Sequence, residues 1–113
     1  MQNFHDHKLW QESYVVLMDL YDVAENLSEK TVSDDILDKL LSDAQNVTAK
    51  VADGLSRKDR RTSRDLIYDA VGLVAVTRTQ LAVAWGRGLL NDKIFKGIDD
   101  KYQKLNESLQ GHR

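Results

Sequence analysis

The chain has 113 residues, of which 42% are hydrophobic and 30% charged, and its formal net charge is −2. This length and balance predict one soluble globular domain and exclude a disordered chain. The sequence contains no cysteine, which excludes disulfides, zinc–thiolate sites and a thiol nucleophile, and no proline, so long helices can run without a break.

The first half of the sequence predicts two helices. Apolar residues recur every three or four positions over about 6–27, a spacing typical of one buried helix face. A second stripe with the same spacing predicts a helix over 33–56. Ser33 can cap this second helix, and the acids Asp34 and Asp35 suit the positive end of its dipole.

The second half predicts two more helices, over 60–89 and 92–109. Asp59 or Thr62 can cap the third helix, and the connector formed by Asn91 and Asp92 contains a cap for the fourth. Because every connection is short, successive helices should be antiparallel neighbours. The sequence therefore predicts an all-α protein, an up-down-up-down antiparallel four-helix bundle, with one domain covering 1–113.

The third predicted helix carries more apolar surface than one bundle core can cover. No residue over 70–76 is polar, and a helix that is apolar all round is expected to be buried all round. A densely filled local core is one explanation, and a contact with further copies of the chain is the other. We favour a homo-oligomer, whose predicted interface residues are Val71, Leu73, Val74, Val76 and Val83.

No constellation of residues in the sequence predicts catalysis or metal binding. His5 and His7 flank Asp6, but residues two apart do not share a helix face, and a solvated terminus explains them. No Glu-x-x-His motif is present, and the only histidines are terminal, so neither a di-metal bundle site nor a hydrolase triad is predicted. The glycines at 86 and 88 match no nucleotide-binding fingerprint. We therefore expect no catalytic residue, no metal, no cofactor and no enzymatic activity.

Positive charge is concentrated between the second and third helices. Residues 1–49 carry a net charge of −7 and residues 50–113 a net charge of +5. Arginine dominates the cluster, and its guanidinium can grip two phosphate oxygens. These side chains could also form a solvated face or pair with acids. The cluster predicts contact with RNA or DNA through Lys50, Arg57, Lys58, Arg60, Arg61 and Arg64.

Targeting and membrane signals are not apparent in the sequence. The N-terminus has no cationic start followed by an apolar run. The longest uncharged stretch near the apolar centre, 70–77, is far shorter than the roughly 20 residues that span a bilayer. We expect a cytoplasmic protein with no membrane contact.

Several motifs resemble those of one protein family. Residues 4–21 read F-x-x-x-K-L-W-Q-E-S-Y-x-x-x-x-x-L-Y, and residues 50–57 read K-V-A-D-G-L-S-R, where that family has N-I-A-E-G-x-x-R. A later match covers 65–73, followed by Gln80-Leu81 and by Gly88-Leu89-Leu90. The chain thus resembles the 23S rRNA intervening-sequence protein family, also called four-helix bundle proteins.

The resemblance implies a bundle that assembles into a ring-like homo-oligomer, commonly a pentamer, without enzymatic activity. A related branch resembles the accessory proteins of diversity-generating retroelements, which are basic pentameric bundles that bind a reverse transcriptase and nucleic acid. Gly54 and Gly72 would be points of close approach between helices, since glycine in a helix interior costs roughly 1 kcal/mol relative to alanine.

Two functional hypotheses follow from the sequence. The first is an oligomeric scaffold whose basic junction contacts RNA or DNA. The second is a protein-interaction module of a ring oligomer, with an exposed apolar patch for a protein partner and no nucleic-acid contact.

Overall fold

The computed structural model describes residues 3–28 and 34–112, and four α-helices account for most of them. A short 3-10 turn, Phe4–Asp6, comes first. The helices are α1 (Lys8–Glu25), α2 (Asp35–Leu55), α3 (Arg60–Gly86) and α4 (Asp92–Gly111). No strand occurs within these two described ranges, so the prediction of an all-α protein is confirmed.

A side-chain cap explains where each helix begins. Helix α1 starts two residues later than predicted because the Nδ1 atom of His7 accepts a hydrogen bond from the Leu9 amide. Asp34, rather than Ser33, caps α2, and Ser33 lies outside the described residues. Of the two candidate caps for α3, Asp59 fills the position, and Asn91 of the predicted connector caps α4.

The N-terminal segment is ordered against the bundle, contrary to the expected solvated terminus. Phe4 and His5 both contact the ring of Trp10, with centroids 5.6 and 4.7 Å away. His7 lies edge-on to His112, with ring centroids 5.4 Å apart. The two histidines therefore have structural roles, one in the aromatic cluster and one as a helix cap.

Helix α3 ends three residues before the predicted boundary because Gly88 reverses the chain. Its φ of +80° lies in the left-handed region that favours glycine. The Leu89 amide then donates to the Ala84 carbonyl oxygen over 2.9 Å, and the Gly88 amide donates to that of Trp85 over 3.0 Å. This pair of bonds is the Schellman motif, which satisfies carbonyls at a helix end.

The four helices pack as a bundle about 45 Å long and 20 Å wide. Each helix contacts its neighbours in the sequence, and α1 also contacts α4, with the most extensive contact between α2 and α3. Among the described residues, the fully buried core is aliphatic apart from Tyr102, and α4 supplies this tyrosine together with Ile98, Leu105 and Leu109. An ion pair outside the core joins α3 to α4, where Arg78 binds Asp99 through two hydrogen bonds of 2.8 and 3.0 Å.

The two glycines expected at close approaches differ in their surroundings. A Cβ atom at Gly54 would lie 2.9 Å from Ile67 Cδ1 and 3.3 Å from Leu66 Cβ, so α2 and α3 approach closely there. A Cβ atom at Gly72 would meet nothing within 4 Å. Within one chain, the prediction is therefore confirmed for Gly54 and wrong for Gly72.

Candidate nucleic-acid interface

The junction between α2 and α3 is short and firmly held. Only residues 56–59 separate the two helices. The Asp59 carboxylate accepts hydrogen bonds from the Thr62 amide (2.9 Å) and the Thr62 hydroxyl (2.6 Å). The Ser63 hydroxyl donates to the Gly54 carbonyl oxygen over 2.7 Å, which ties the first turn of α3 to the last turn of α2. These contacts fix the backbone that carries the basic side chains.

Four of the six predicted cations line one depression, which we call the basic cleft. It lies where the start of α3 meets the end of α4, and its volume is about 490 Å³. Such a volume falls within the range of small-molecule sites. The lining residues are Arg57, Lys58, Arg60, Ser63, Arg64, Ile67 and Tyr68 from the junction and α3, and Leu109, Gln110 and His112 from the end of the chain.

The other two predicted cations lie outside the basic cleft. Lys50 is on α2 and lines a separate depression with Asp53 and Leu73. Arg61 is exposed on α3 but is not among the lining residues. The structure thus groups Arg57, Lys58, Arg60 and Arg64 and leaves these two apart.

The cations of the junction differ in how far acids neutralise them. Arg57 Nε lies 2.8 Å from Asp53 Oδ1, and this hydrogen bond lowers the pKa of Asp53 and raises that of Arg57. Across residues 3–28 and 34–112, no ion pair or hydrogen bond engages the side chains of Lys58, Arg60, Arg61 or Arg64. These four charges are therefore free to attract an anion.

The backbone amides at the start of α3 do not contribute an open anion site. Open amides at a helix start can assist phosphate binding. Instead the Asp59 carboxylate occupies this position, and hydrogen bonds from Thr62 lower the pKa of Asp59. Any phosphate at the basic cleft must therefore be held by side chains.

The cleft also contains residues that the sequence did not single out. Tyr68 is 60% exposed and follows Arg64 by one helical turn. Gln110 and His112 are far away in the sequence, and only the packing of α4 beside α3 brings them here. The sequence could have indicated Tyr68, which follows Arg64 by four residues. Gln110 and His112 could be placed in the cleft only once the packing of α4 against α3 was known.

The outward side of α3 forms an uncharged stripe, which we call the outer stripe. Its residues are all exposed, and Val76 and Val83 are 44% and 40% exposed. An apolar side of α3 therefore stays uncovered within one chain. The stripe consists of Gly72, Ala75, Val76, Thr79 and Val83.

The predicted interface residues occupy three different environments. Val76 and Val83 belong to the outer stripe. Val71 and Leu73 flank it and are partly buried against the core. Val74 is 1% exposed and packs inside the bundle, so it has no surface to offer a second chain. The candidate interface is therefore narrowed to Val76 and Val83, with Val71 and Leu73 at its edges.

Among the described helices, α3 alone is long and apolar enough to cross a membrane by length and composition. Core helices of soluble proteins can meet the same criterion. Arg78 lies within this helix and is ion-paired with Asp99 on α4. The expectation of no membrane contact rests on unbroken uncharged stretches, whereas α3 meets the length and composition criterion over a window that tolerates charged residues.

A third depression lies between α1 and α4. Its volume is about 760 Å³, and Val15 and Val16 form its apolar part. Lys8, Lys101 and Lys104 supply positive charge around it, and Glu12 and Glu107 supply negative charge. This mixed surface lacks the excess of cations found in the basic cleft.

The fold and the cleft define this chain as a small four-helix bundle protein with a basic surface at one end. The family model of the 23S rRNA-intervening sequence protein matches residues 5–111. The chain therefore belongs to the 23S rRNA-intervening sequence protein family. No curated protein and no solved structure matches it.

Proposed function

We propose that this protein is a cytoplasmic, non-enzymatic, homo-oligomeric scaffold that contacts RNA or DNA through the basic cleft. The observation that carries the nucleic-acid contact is the group of unpaired cations Lys58, Arg60 and Arg64 around one depression. Unpaired cations attract phosphates, and the gain comes largely from the release of counterions. Family membership supports the four-helix bundle, while the charge pattern supports RNA or DNA as the ligand.

We also propose that the helices run up-down-up-down. The connection from α3 to α4 contains only residues 87–91, which cannot return along a bundle about 45 Å long. The ring of Trp85 near the end of α3 stacks on Phe95 near the start of α4, with centroids 4.5 Å apart. At the opposite end, Ile67 and Leu109 line the same cleft. These contacts support antiparallel neighbours.

The outer stripe is the surface that we propose for contact between copies. It presents no charge over the 12 positions from Gly72 to Val83, which span about 17 Å along the helix axis. Nothing within one chain would prevent a side chain at Gly72. A glycine at this position is explained if the helix of a second copy packs closely against it. The resemblance to ring-forming family members makes a pentamer the expected assembly.

Charge reversal and salt dependence test the nucleic-acid contact. We expect the double variant Arg60→Glu/Arg64→Glu to abolish binding of a fluorescent oligonucleotide in an anisotropy titration. The affinity of the unaltered protein should fall steeply between about 50 and about 200 mM salt. The control is Lys93→Glu/Lys96→Glu, which changes the charge equally on exposed residues at the start of α4. Absence of binding at low salt, or equal losses in both variants, would contradict the contact.

Light scattering tests the assembly. Five copies of the 12.9 kDa chain predict a mass of about 65 kDa. We expect Val76→Glu to reduce the mass to that of one chain, because a buried unpaired charge is costly. Gly72→Ala should weaken assembly, whereas Gly97→Ala on the exposed side of α4 should not. A monomer before any substitution would rule out the ring.

The second candidate is a protein-interaction module of a ring oligomer without nucleic-acid contact. The specific observation in its favour is the apolar surface on α1, where Tyr14 and Val15 are exposed beside the depression between α1 and α4. Capture of host proteins that survives nuclease treatment, together with no oligonucleotide binding, would favour this alternative.

A further inference from the structure

We infer that the basic cleft holds an unpaired nucleotide of a single strand, with its base stacked on Tyr68 and its phosphate bound by Arg60 and Arg64. This inference rests on the proposed nucleic-acid contact and adds the form of the ligand and the residue that selects it. Cations alone attract any nucleic acid, but a tyrosine beside them provides a surface for a base.

The environment of Tyr68 differs from that of every other exposed aromatic residue in the described residues. Tyr14 stacks on Trp10 with ring centroids 4.9 Å apart, and Trp85 stacks on Phe95. Tyr68 contacts no other ring and makes no side-chain hydrogen bond, although it is the most exposed large hydrophobic side chain. Its ring is therefore accessible to a planar ligand.

The position of Tyr68 relative to the cations suits a nucleotide. Arg60, Arg64 and Tyr68 follow one another at intervals of four residues, so their side chains lie along one ridge of α3. Ile67 and Leu109 are buried and give the cleft an apolar floor. Gln110 lines the cleft from α4, and although its Nε2 donates one hydrogen bond to Asn106 Oδ1 over 3.2 Å, its second amide hydrogen and its carbonyl oxygen suit the edge of a base.

The geometry favours a single strand over a duplex. In a duplex the base faces are stacked on one another and are not available to an aromatic side chain on the protein. Bases of single strands can be splayed out and stacked on aromatic rings. A duplex would touch the cations through its backbone but leave Tyr68 unused. The protein should therefore bind single strands more tightly than duplexes of the same sequence.

Anisotropy titrations with a labelled oligouridylate, a labelled oligothymidylate and a blunt DNA duplex test the inference. We expect Tyr68→Ala to weaken single-strand binding by about 5- to 150-fold, the range that one base–aromatic stack contributes. Duplex affinity should stay within about twofold, because phosphate contacts remain. Tyr68→Phe should retain single-strand affinity. The matched control is Tyr14→Ala, an exposed tyrosine outside the cleft, which should bind as the unaltered protein does.

The outcomes separate this inference from the proposed contact. If Arg60→Glu/Arg64→Glu abolishes binding but Tyr68→Ala does not weaken single-strand binding, the contact stands and the inference is overturned. If neither form of nucleic acid binds, both are overturned. Competition by uridine monophosphate at the affinity of the oligonucleotide would assign the cleft to a free nucleotide and overturn the single strand.

Discussion

Addition of one methyl group at Gly54 should destabilise the protein, although the same change normally stabilises a helix. Replacing glycine by alanine in a helix interior gains about 1 kcal/mol of helix propensity. At Gly54 the new Cβ would lie 2.9 Å from Ile67 Cδ1, 3.1 Å from Ile67 Cγ1 and 3.3 Å from Leu66 Cβ. The last two atoms lie close to the backbone, so the Ile67 side chain or the two helices must give way by a few tenths of an ångström. Overpacking of this kind costs about 1–3 kcal/mol.

Gly97 provides the matched control for this substitution. It lies within α4, it is exposed, and a Cβ there would meet nothing within 4 Å. We expect Gly97→Ala to raise the free energy of unfolding by about 1 kcal/mol and Gly54→Ala to lower it by about 1 kcal/mol. The two variants should therefore differ by about 2 kcal/mol in urea titrations followed by circular dichroism at a fixed protein concentration.

A double-mutant cycle with Ile67 checks the cause. Ile67→Val removes the Cδ1 atom nearest to the new methyl group. Alone it should cost about 1 kcal/mol, as is usual for this change in a core. In the Gly54→Ala background the Ile67→Val substitution should cost little, because it removes the atom that overlaps with the new methyl group. The two substitutions should therefore show a coupling energy of about 1 kcal/mol. Equal stability of Gly54→Ala and Gly97→Ala, or no coupling with Ile67, would refute the reasoning.

Three further predictions concern individual side chains. Tyr102→Phe should leave stability unchanged or raise it by about 1 kcal/mol, because the buried Tyr102 hydroxyl has no hydrogen-bond partner in the described chain and burial raises its pKa; a clear loss in urea titrations would mean that the hydroxyl is satisfied. Arg78→Lys should cost about 1 kcal/mol by the same assay, since lysine cannot reproduce the paired hydrogen bonds to Asp99, and no loss would show that the bridge adds nothing. Burial, and then the nearby His7, lower the pKa of His112 below its ordinary 6.5, so on acidification the His112 imidazole is protonated in the unfolded chain before it is protonated in the folded one. The fall in the free energy of unfolding between pH 7.5 and 5.5 should therefore be smaller in His112→Gln than in the unaltered protein. Equal falls in the two proteins would contradict this.

Local sequence signals were sufficient for the helices but not for all of their ends. The caps Asp59 and Asn91 could be narrowed to two neighbouring candidates each, because capping depends on a residue and the amides that immediately follow it. The start of α1 was misplaced because histidine is an uncommon cap, and His7 fills that role here. The end of α3 depended on the backbone conformation of Gly88, which the identity of the residue alone does not determine.

The candidate site required contacts between distant parts of the chain. The density of arginine near residue 60 indicated a basic surface. It did not show that Asp53 neutralises Arg57, nor that Lys50 lies in a different depression. Periodicity also could not distinguish Gly54 from Gly72, because both fall within predicted helices and only the path of the neighbouring helix separates them.

The proposed assembly and the proposed ligand should affect each other through charge. Arg61 and Gly72 are 11 residues apart, about three full turns of α3, so Arg61 continues the line of the outer stripe. Copies that pack along this stripe would bring unpaired arginines of neighbouring chains together, and like charges oppose association. A bound polyanion would reduce that repulsion and so raise the association constant of the copies. By linkage, assembly must then raise the affinity for the polyanion by the same factor. Light scattering should therefore show tighter assembly on adding an oligonucleotide or substituting Arg61→Gln, whereas a mass that responds to neither would separate the two proposals.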